Sequence, residues 1–189
     1  VMTTRIVING FGRIGRTYLR AALASDADVE VVAINDITDV PTLADLLEWD
    51  SISGHLDGVS ADGDHLTVQG HAIKVFSQRD PARIPWGEVG ADVVIESTGR
   101  FTDATAARAH LRGGARKVLV SAPAKGDAPA LVLGVNTDDL DVTASDVFSN
   151  GSCTTNCLAP MAKVLNDAFG IESGLMTTVH AYTLSLIHI

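Results

Sequence analysis

Arg5-Ile6-Val7-Ile8-Asn9-Gly10-Phe11-Gly12-Arg13-Ile14-Gly15-Arg16 begins as a short β-branched run and breaks directly into G-x-G-x-x-G. After it, Ile14, Tyr18, Leu19, Ala22 and Leu23 recur at helical spacing, Val29 to Ile34 forms a second apolar run, and Asn35-Asp36 closes it. A glycine triplet alone is weak evidence. Here it stands between a strand and a helix, with an acid about 20 residues further on, which is the order a dinucleotide-binding βαβ unit requires. The unit predicts an α/β fold built on a doubly wound parallel sheet.

Each glycine has a physical task. Gly10 makes the tight turn, Gly12 leaves the backbone bare where a pyrophosphate approaches, and Gly15 lets the helix pack close to the strand. The helix N-terminus then faces the phosphates. Asp36 can accept hydrogen bonds from an adenosine ribose, whereas a 2′-phosphate there would meet like charge at close range, so the expected cofactor is NAD rather than NADP.

The chain has 189 residues, 46% hydrophobic and 20% charged, which is enough for one domain and part of another. Its net charge of −9, with no basic cluster, argues against a nucleic-acid partner. Two cysteines, Cys153 and Cys157, make no disulfide framework and point to a reducing, cytoplasmic setting. No basic-plus-apolar leader opens the chain, and no run reaches about 18 apolar residues, so no membrane partner is expected.

Further along, Pro41 to Glu48 reads as a short helix with Asp39 as N-cap. Residues 50–63, rich in Ser, Gly and Asp, read as loop. His65 to Val68 and Ala72 to Phe76 alternate around Gln69-Gly70 as a hairpin. Ser77 to Trp86 reads as irregular or a short helix; its Arg79 either reaches the adenine side of a cofactor or is solvated. Val93 to Ile95 and Lys117 to Val120 read as parallel strands, Ala104 to Leu111 as a helix stopped by Gly113-Gly114, and Leu131 to Val135 and Val147-Phe148 as two more strands. Ligands in such sheets collect at strand carboxyl ends, so Ser97, Thr98 and Ser121 either line the crevice or serve as ordinary turn and cap residues.

The polar run Ser149 to Pro160 places Cys153 at or near the start of a helix whose apolar positions are Leu158, Met161, Ala162, Val164, Leu165 and Ala168. There the unpaired N–H groups and the macrodipole favour a thiolate. Propensity alone starts that helix near Pro160. The two cysteines, one turn apart, are either a reactive thiol with a neighbour or two small buried residues. Gly174 to Thr183 reads as a strand that could return His180 to Cys153. The histidines show no paired ligand spacing, and no metal site is read.

With both segments in view, the chain resembles the N-terminal half of phosphorylating glyceraldehyde-3-phosphate dehydrogenases, from about Arg5 to Thr183. The resemblance rests on Ile8 to Arg16, Asn35-Asp36, Ser121 to Lys125, Ser149 to Pro160 and His180 to Thr183. It implies a Rossmann domain over residues 2–152, the start of an α+β catalytic domain over 153–183, NAD as cofactor, glyceraldehyde 3-phosphate and inorganic phosphate as substrates, and a homotetramer. By the same resemblance, Arg13 and Ile14 contact the pyrophosphate, Asp36 the ribose, and Arg79 and Ser121 other parts of NAD. Cys153 becomes the nucleophile, His180 its base, and Ser152, Thr154 and Thr183 contacts for the substrate or the attacking phosphate. Cys157 matches the family's second, non-nucleophilic cysteine.

There are departures from the family pattern. Gly151 stands where alanine is usual, a change expected to loosen the turn, and Gly54-His55-Leu56 replaces Gly-Arg-Phe. Val1 precedes a plausible initiator, Met2, and after Thr183 the pattern is lost. Leu184 to Ile189 back-translates to a sequencing adapter and reads as a non-native tail. Two other functions fit the residues: an erythrose-4-phosphate dehydrogenase, and a noncatalytic NAD-binding fragment.

Overall fold

The computed structural model describes residues 3–138 and 140–181. Met2 and its role as initiator, Thr183, and the tail at 184–189 lie outside the described residues. β1 (Thr4–Asn9) leads through the glycine turn into α1 (Arg13–Leu23), and β2 (Val29–Asn35) into α2 (Val40–Glu48). Asp39 caps α2 by accepting the Thr42 N–H at 3.0 Å. Two-residue strands β3 (Trp49–Asp50) and β4 (Gly54–His55) pair with each other. They are followed by β5 (Val59–Asp62), β6 (His65–Val68) and β7 (His71–Phe76). Short 3₁₀ turns at Pro81–Arg83 and Trp86–Val89 lead to β8 (Val93–Glu96), α3 (Ala104–Ala107), α4 (Ala109–Arg112), β9 (Lys117–Val120), β10 (Val147–Ser149) and α5 (Cys153–Phe169).

Eight strands form one sheet in the order β10-β9-β8-β1-β2-β7-β6-β5, parallel from β10 to β7 and antiparallel across β7, β6 and β5. The period-2 alternation of the strands separates two cores. Ile6, Ile8 and Ile34 pack with Leu19 of α1 and Leu43 of α2 on one face. Val7, Ala33 and Val94 pack with Trp86 and Ala107 on the other. Burial on both faces is what near-continuous apolar strands demand. The sheet is therefore the doubly wound one expected, and β1 is the point at which the winding reverses.

The structure departs from the sequence reading at four places, and at the start of α5 it follows the reading for Cys153 over the one propensity alone favours. Residues 50–63 are not all loop: Val59 and Ala61 face Val68 and Leu66 in β6, a pairing that the Ser, Gly and Asp content hides. The helix read over 104–111 is interrupted at Arg108, where the ladder tightens and Leu111 N–H bonds the Arg108 carbonyl. Leu131 to Val135 is a turn, not a strand. The Asn136 side chain accepts the Val132 N–H and donates to the Ala130 carbonyl, leaving one bridge from Ala130 to Ser149. α5 starts at Cys153 rather than near Pro160, because Ser152 Oγ accepts the Thr155 N–H at 2.9 Å and Asn156 Nδ2 ties back to the Asn150 and Ser152 carbonyls. Those bonds fix the first turn, and the proline then removes one interior hydrogen bond. Residues 174–181 have no ladder partner among the described residues and form no strand.

The Gln69-Gly70 turn is as read: Gln69 (φ 50°) and Gly70 (φ 86°) are both left-handed, the geometry of a two-residue hairpin.

Candidate active site

Two concave regions carry the polar groups of interest. The first is a crevice of about 310 Å³ at the carboxyl ends of β1, β2 and β8, where the strand order reverses. Its lining includes Gly10, Gly12, Asp36, Arg79, Ser97 and Thr98 from the sequence-derived set. Gly10 lies at φ 91°, and a Cβ there would sit 2.7 Å from the Thr98 backbone nitrogen, so only glycine lets the two turns touch. Gly12 precedes α1 with open space where a side chain would be, and no side chain caps the helix. The α1 N-terminus is thus left bare toward the crevice, as an anion requires.

Asp36 is held from both sides, accepting the Phe11 N–H at 2.7 Å and the Thr38 N–H at 3.0 Å. Ser97 Oγ donates to the Gly10 carbonyl at 2.7 Å, binding the end of β8 to the glycine turn. Arg16 Nη1 donates to the Phe11 carbonyl at 2.9 Å from behind the same turn. Four of the expected residues do not line the crevice. Arg13 turns away to pair with Asp50 at 3.2 Å, Ile14 is exposed, Gly15 packs beneath the turn against Ile8 and Gly10, and Ser121 is tied by its N–H to the Glu96 carbonyl.

The second region is a groove of about 490 Å³ along the start of α5, containing Cys153, Thr154, Cys157 and His180. Cys153 is the first residue of the helix, and its Sγ lies 3.1 Å from His180 Nε2. The other ring nitrogen, Nδ1, lies 2.6 Å from the Ala181 carbonyl, an acceptor, so Nδ1 carries a proton and Nε2 is the nitrogen that faces the sulfur. The bond to His180 pulls the Cys153 thiol below its ordinary range, helped by the Thr154 N–H and hydroxyl. The Ala181 carbonyl and then the sulfur itself raise His180. Both shifts favour a thiolate–imidazolium pair.

Both cysteines are exposed in the described residues rather than buried together. Ser152 Oγ is engaged in capping α5 and bonds Thr155 Oγ1 at 2.8 Å. Gly151 has φ 66°, and a Cβ there would press on Thr155 at 3.2 Å; glycine therefore suits this turn rather than loosening it.

Sequence reasoning overlooked Glu96 and His110, both buried just below the crevice, together with Gln78, Arg100 and Phe101 in its lining. A carboxylate ending an otherwise apolar strand is the signal that could have found Glu96. Among the described residues, no group of three or more His, Cys, Asp or Glu is placed to hold a metal ion, and no helix is long and apolar enough to cross a membrane.

Two sequence families match the chain. Residues 4–104 match "Glyceraldehyde 3-phosphate dehydrogenase, NAD binding domain", and residues 152–186 match "Glyceraldehyde 3-phosphate dehydrogenase, C-terminal domain". Glyceraldehyde-3-phosphate dehydrogenase of Streptomyces coelicolor is 59% identical over 183 residues, covering 96% of this chain and 54% of its own length. Those of Geobacillus stearothermophilus and Bacillus subtilis are each 56% identical over the same span and likewise covered for 54% of their length. The chain spans about half the length of the curated relatives it matches.

Proposed function

The chain belongs to the glyceraldehyde 3-phosphate dehydrogenase family, and from that membership we propose that it supplies the NAD crevice and the thiol–imidazole pair of an enzyme converting glyceraldehyde 3-phosphate and inorganic phosphate into 1,3-bisphosphoglycerate. The observation that carries the reading is the 3.1 Å approach of Cys153 Sγ to His180 Nε2 at the first residue of α5.

The crevice fits a dinucleotide on its own features: a bare helix N-terminus at Gly12, a glycine turn that tolerates no Cβ, and an aspartate fixed at the end of β2. Gly10, Gly12, Asp36, Arg79, Ser97 and Thr98 would hold NAD. The resemblance assigns Arg13 and Ile14 to the pyrophosphate and Ser121 to another part of NAD, while Gly15 serves the turn by packing beneath it. When bound, NAD supplies the hydride acceptor.

His180 Nε2 takes the thiol proton, and the Cys153 thiolate adds to the aldehyde carbon, forming a C–S bond and an alkoxide. N–H groups at the start of α5, that of Cys153 among them, stabilise this oxyanion. The imidazolium returns that proton to the alkoxide, giving the hemithioacetal hydroxyl, and takes it back as the C–H bond breaks, the hydrogen leaving with its electron pair toward the nicotinamide position and the carbon becoming a thioester. Attack by phosphate oxygen then breaks the C–S bond and returns the thiolate. Ser152, Thr154 and Thr183 are assigned to the phosphate groups. We place the domain boundary between 152 and 153, and the whole protein as a cytoplasmic homotetramer.

NADH formation in a chain extended to the family's full length tests the reading. Activity with glyceraldehyde 3-phosphate that depends on inorganic phosphate supports it. Faster, phosphate-independent oxidation of erythrose 4-phosphate would replace it.

A further inference from the structure

Below the crevice floor lies a polar network sealed from water. Glu96 is 2% exposed and His110 0%, and Asn9 and Asn35 are also buried. The Glu96 carboxylate meets donors on every side. Oε1 accepts the Thr98 N–H at 2.8 Å and the Thr98 hydroxyl. Oε2 accepts Asn9 Nδ2 at 2.6 Å and His110 Nε2 at 2.9 Å.

The direction of each bond follows from its neighbour. An indole N–H only donates, so Trp86 Nε1, 3.0 Å from His110 Nδ1, leaves that nitrogen unprotonated and puts the ring proton on Nε2, facing Glu96. Asn35 Nδ2 donates to Asn9 Oδ1 at 2.8 Å, so Asn9 presents its amide N–H to Glu96. Asn35 is fixed in turn by the main chain of Gln78, whose N–H it accepts at 2.8 Å and whose carbonyl it bonds at 2.9 Å. Four donors converge on one group, and only an acceptor with two oxygens satisfies them all. An amide of the same shape would turn an N–H₂ toward donors.

This network controls the shape of the crevice wall. Through Oε1, Glu96 folds Thr98 back over the end of β8, which sets the Thr98 backbone against Gly10. Thr98 Oγ1 then accepts the Arg100 N–H at 3.1 Å. We propose that Glu96 is a positioning residue of the cofactor crevice: its carboxylate, oriented by Asn9 and His110, holds the Thr98 turn in the dinucleotide-binding conformation. The inference rests on the reading of the crevice as the NAD site.

Calorimetric titration of the 189-residue chain with NAD, together with ¹⁵N NMR, tests it. Glu96→Gln is expected to weaken NAD binding roughly ten- to hundredfold, the effect of leaving one or two buried donors unpaired. Asn9→Asp combined with Glu96→Gln moves the carboxylate across the same hydrogen bond: the introduced amide keeps an oxygen for Thr98 and donates to the introduced carboxylate. His110 Nε2, already 3.4 Å from the Asn9 amide nitrogen, donates to that carboxylate as well. The double variant should recover most of the lost affinity, which a role in filling space would not produce. Thr98→Val, which removes one donor and keeps the fold, should weaken binding a few-fold. In the unsubstituted chain, NMR should find the His110 proton on Nε2 and the Thr98 amide strongly downfield.

Binding by a folded Glu96→Gln chain within about twofold of the unsubstituted one overturns the positioning role while leaving the crevice reading intact. A double variant as weak as the single one, or a His110 proton on Nδ1, overturns it too. If Glu96→Gln does not fold, unchanged binding by Thr98→Val does the same. Absence of NAD binding by the unsubstituted chain overturns the crevice reading and the positioning role together.

Discussion

The helices α1 and α5 both present an N-terminus to a site, yet they are held in opposite ways. α1 buries Gly15 and Leu19 on one face of the sheet, in the core of Ile6, Ile8 and Ile34, and fixes the crevice through that packing. α5 buries none of its residues; Leu165 is 52% exposed and Phe169 85%. Its thiol is positioned by a cap, two Asn156 bonds and one contact to His180. Within these 189 residues, then, the crevice is set by the core and the thiol by a few local bonds. Substitutions in the crevice should change stability and affinity together, whereas replacing the exposed Cys153 or His180 side chain should change reactivity with little effect on stability.

The strongest test of that division is Cys153→Ser. Turnover of the full-length enzyme should fall by roughly 10⁴-fold or more, as when a nucleophile is removed. The melting temperature of the present chain should stay within about 1 °C, since an exposed surface substitution costs little. A melting shift as large as that of a crevice variant breaks the comparison. Gly10→Ala is the counterpart: a left-handed φ and the approach of Thr98 predict destabilisation of about 1–3 kcal/mol, with loss of NAD binding measured on the same sample.

Next in size, His180→Asn removes the main cause of the lowered Cys153 pKa. The iodoacetamide rate should fall at neutral pH and its inflection move to higher pH, about tenfold in thiolate fraction per unit. An unmoved profile would assign the activation to the helix terminus instead. Gly151→Ala should cost about 1 kcal/mol by urea denaturation, because it forces a Cβ into a left-handed φ against Thr155, and should slow alkylation only slightly. The smallest effect belongs to acid. The Ser53 and Ile52 N–H groups, with Arg13 adding to them, lower Asp50 to about 2. Its contribution to the β3–β4 hairpin is therefore present above about pH 4, the ordinary aspartate range, and is lost as pH falls through about 2, readable from Trp49 fluorescence.

What the sequence made legible follows the same division. The β1–α1–β2 unit announces itself because glycine spacing, apolar period and a terminal acid must coincide for the fold to exist. Cys153 and His180 are legible as residue types in a recognisable pattern, but their approach depends on a return segment with no ladder partner among the described residues. Glu96 was missed because a charge at a strand end reads as solvated until the histidine and tryptophan that enclose it are folded over it. The β5 strand was missed because its partner, not its own composition, makes it a strand.

The place of β1 at the centre of the sheet also has a kinetic meaning. Its partner β2 follows at once, while its other neighbour, β8, begins only at Val93. A chain synthesised from its N-terminus can fold β1, α1 and β2 early, but it must close a long loop before β8 docks. The glycine turn is therefore made first, and the Thr98 wall that rests on it last. Cofactor affinity should accordingly be acquired late in refolding, so that fluorescence quenching by NAD would time the arrival of β8.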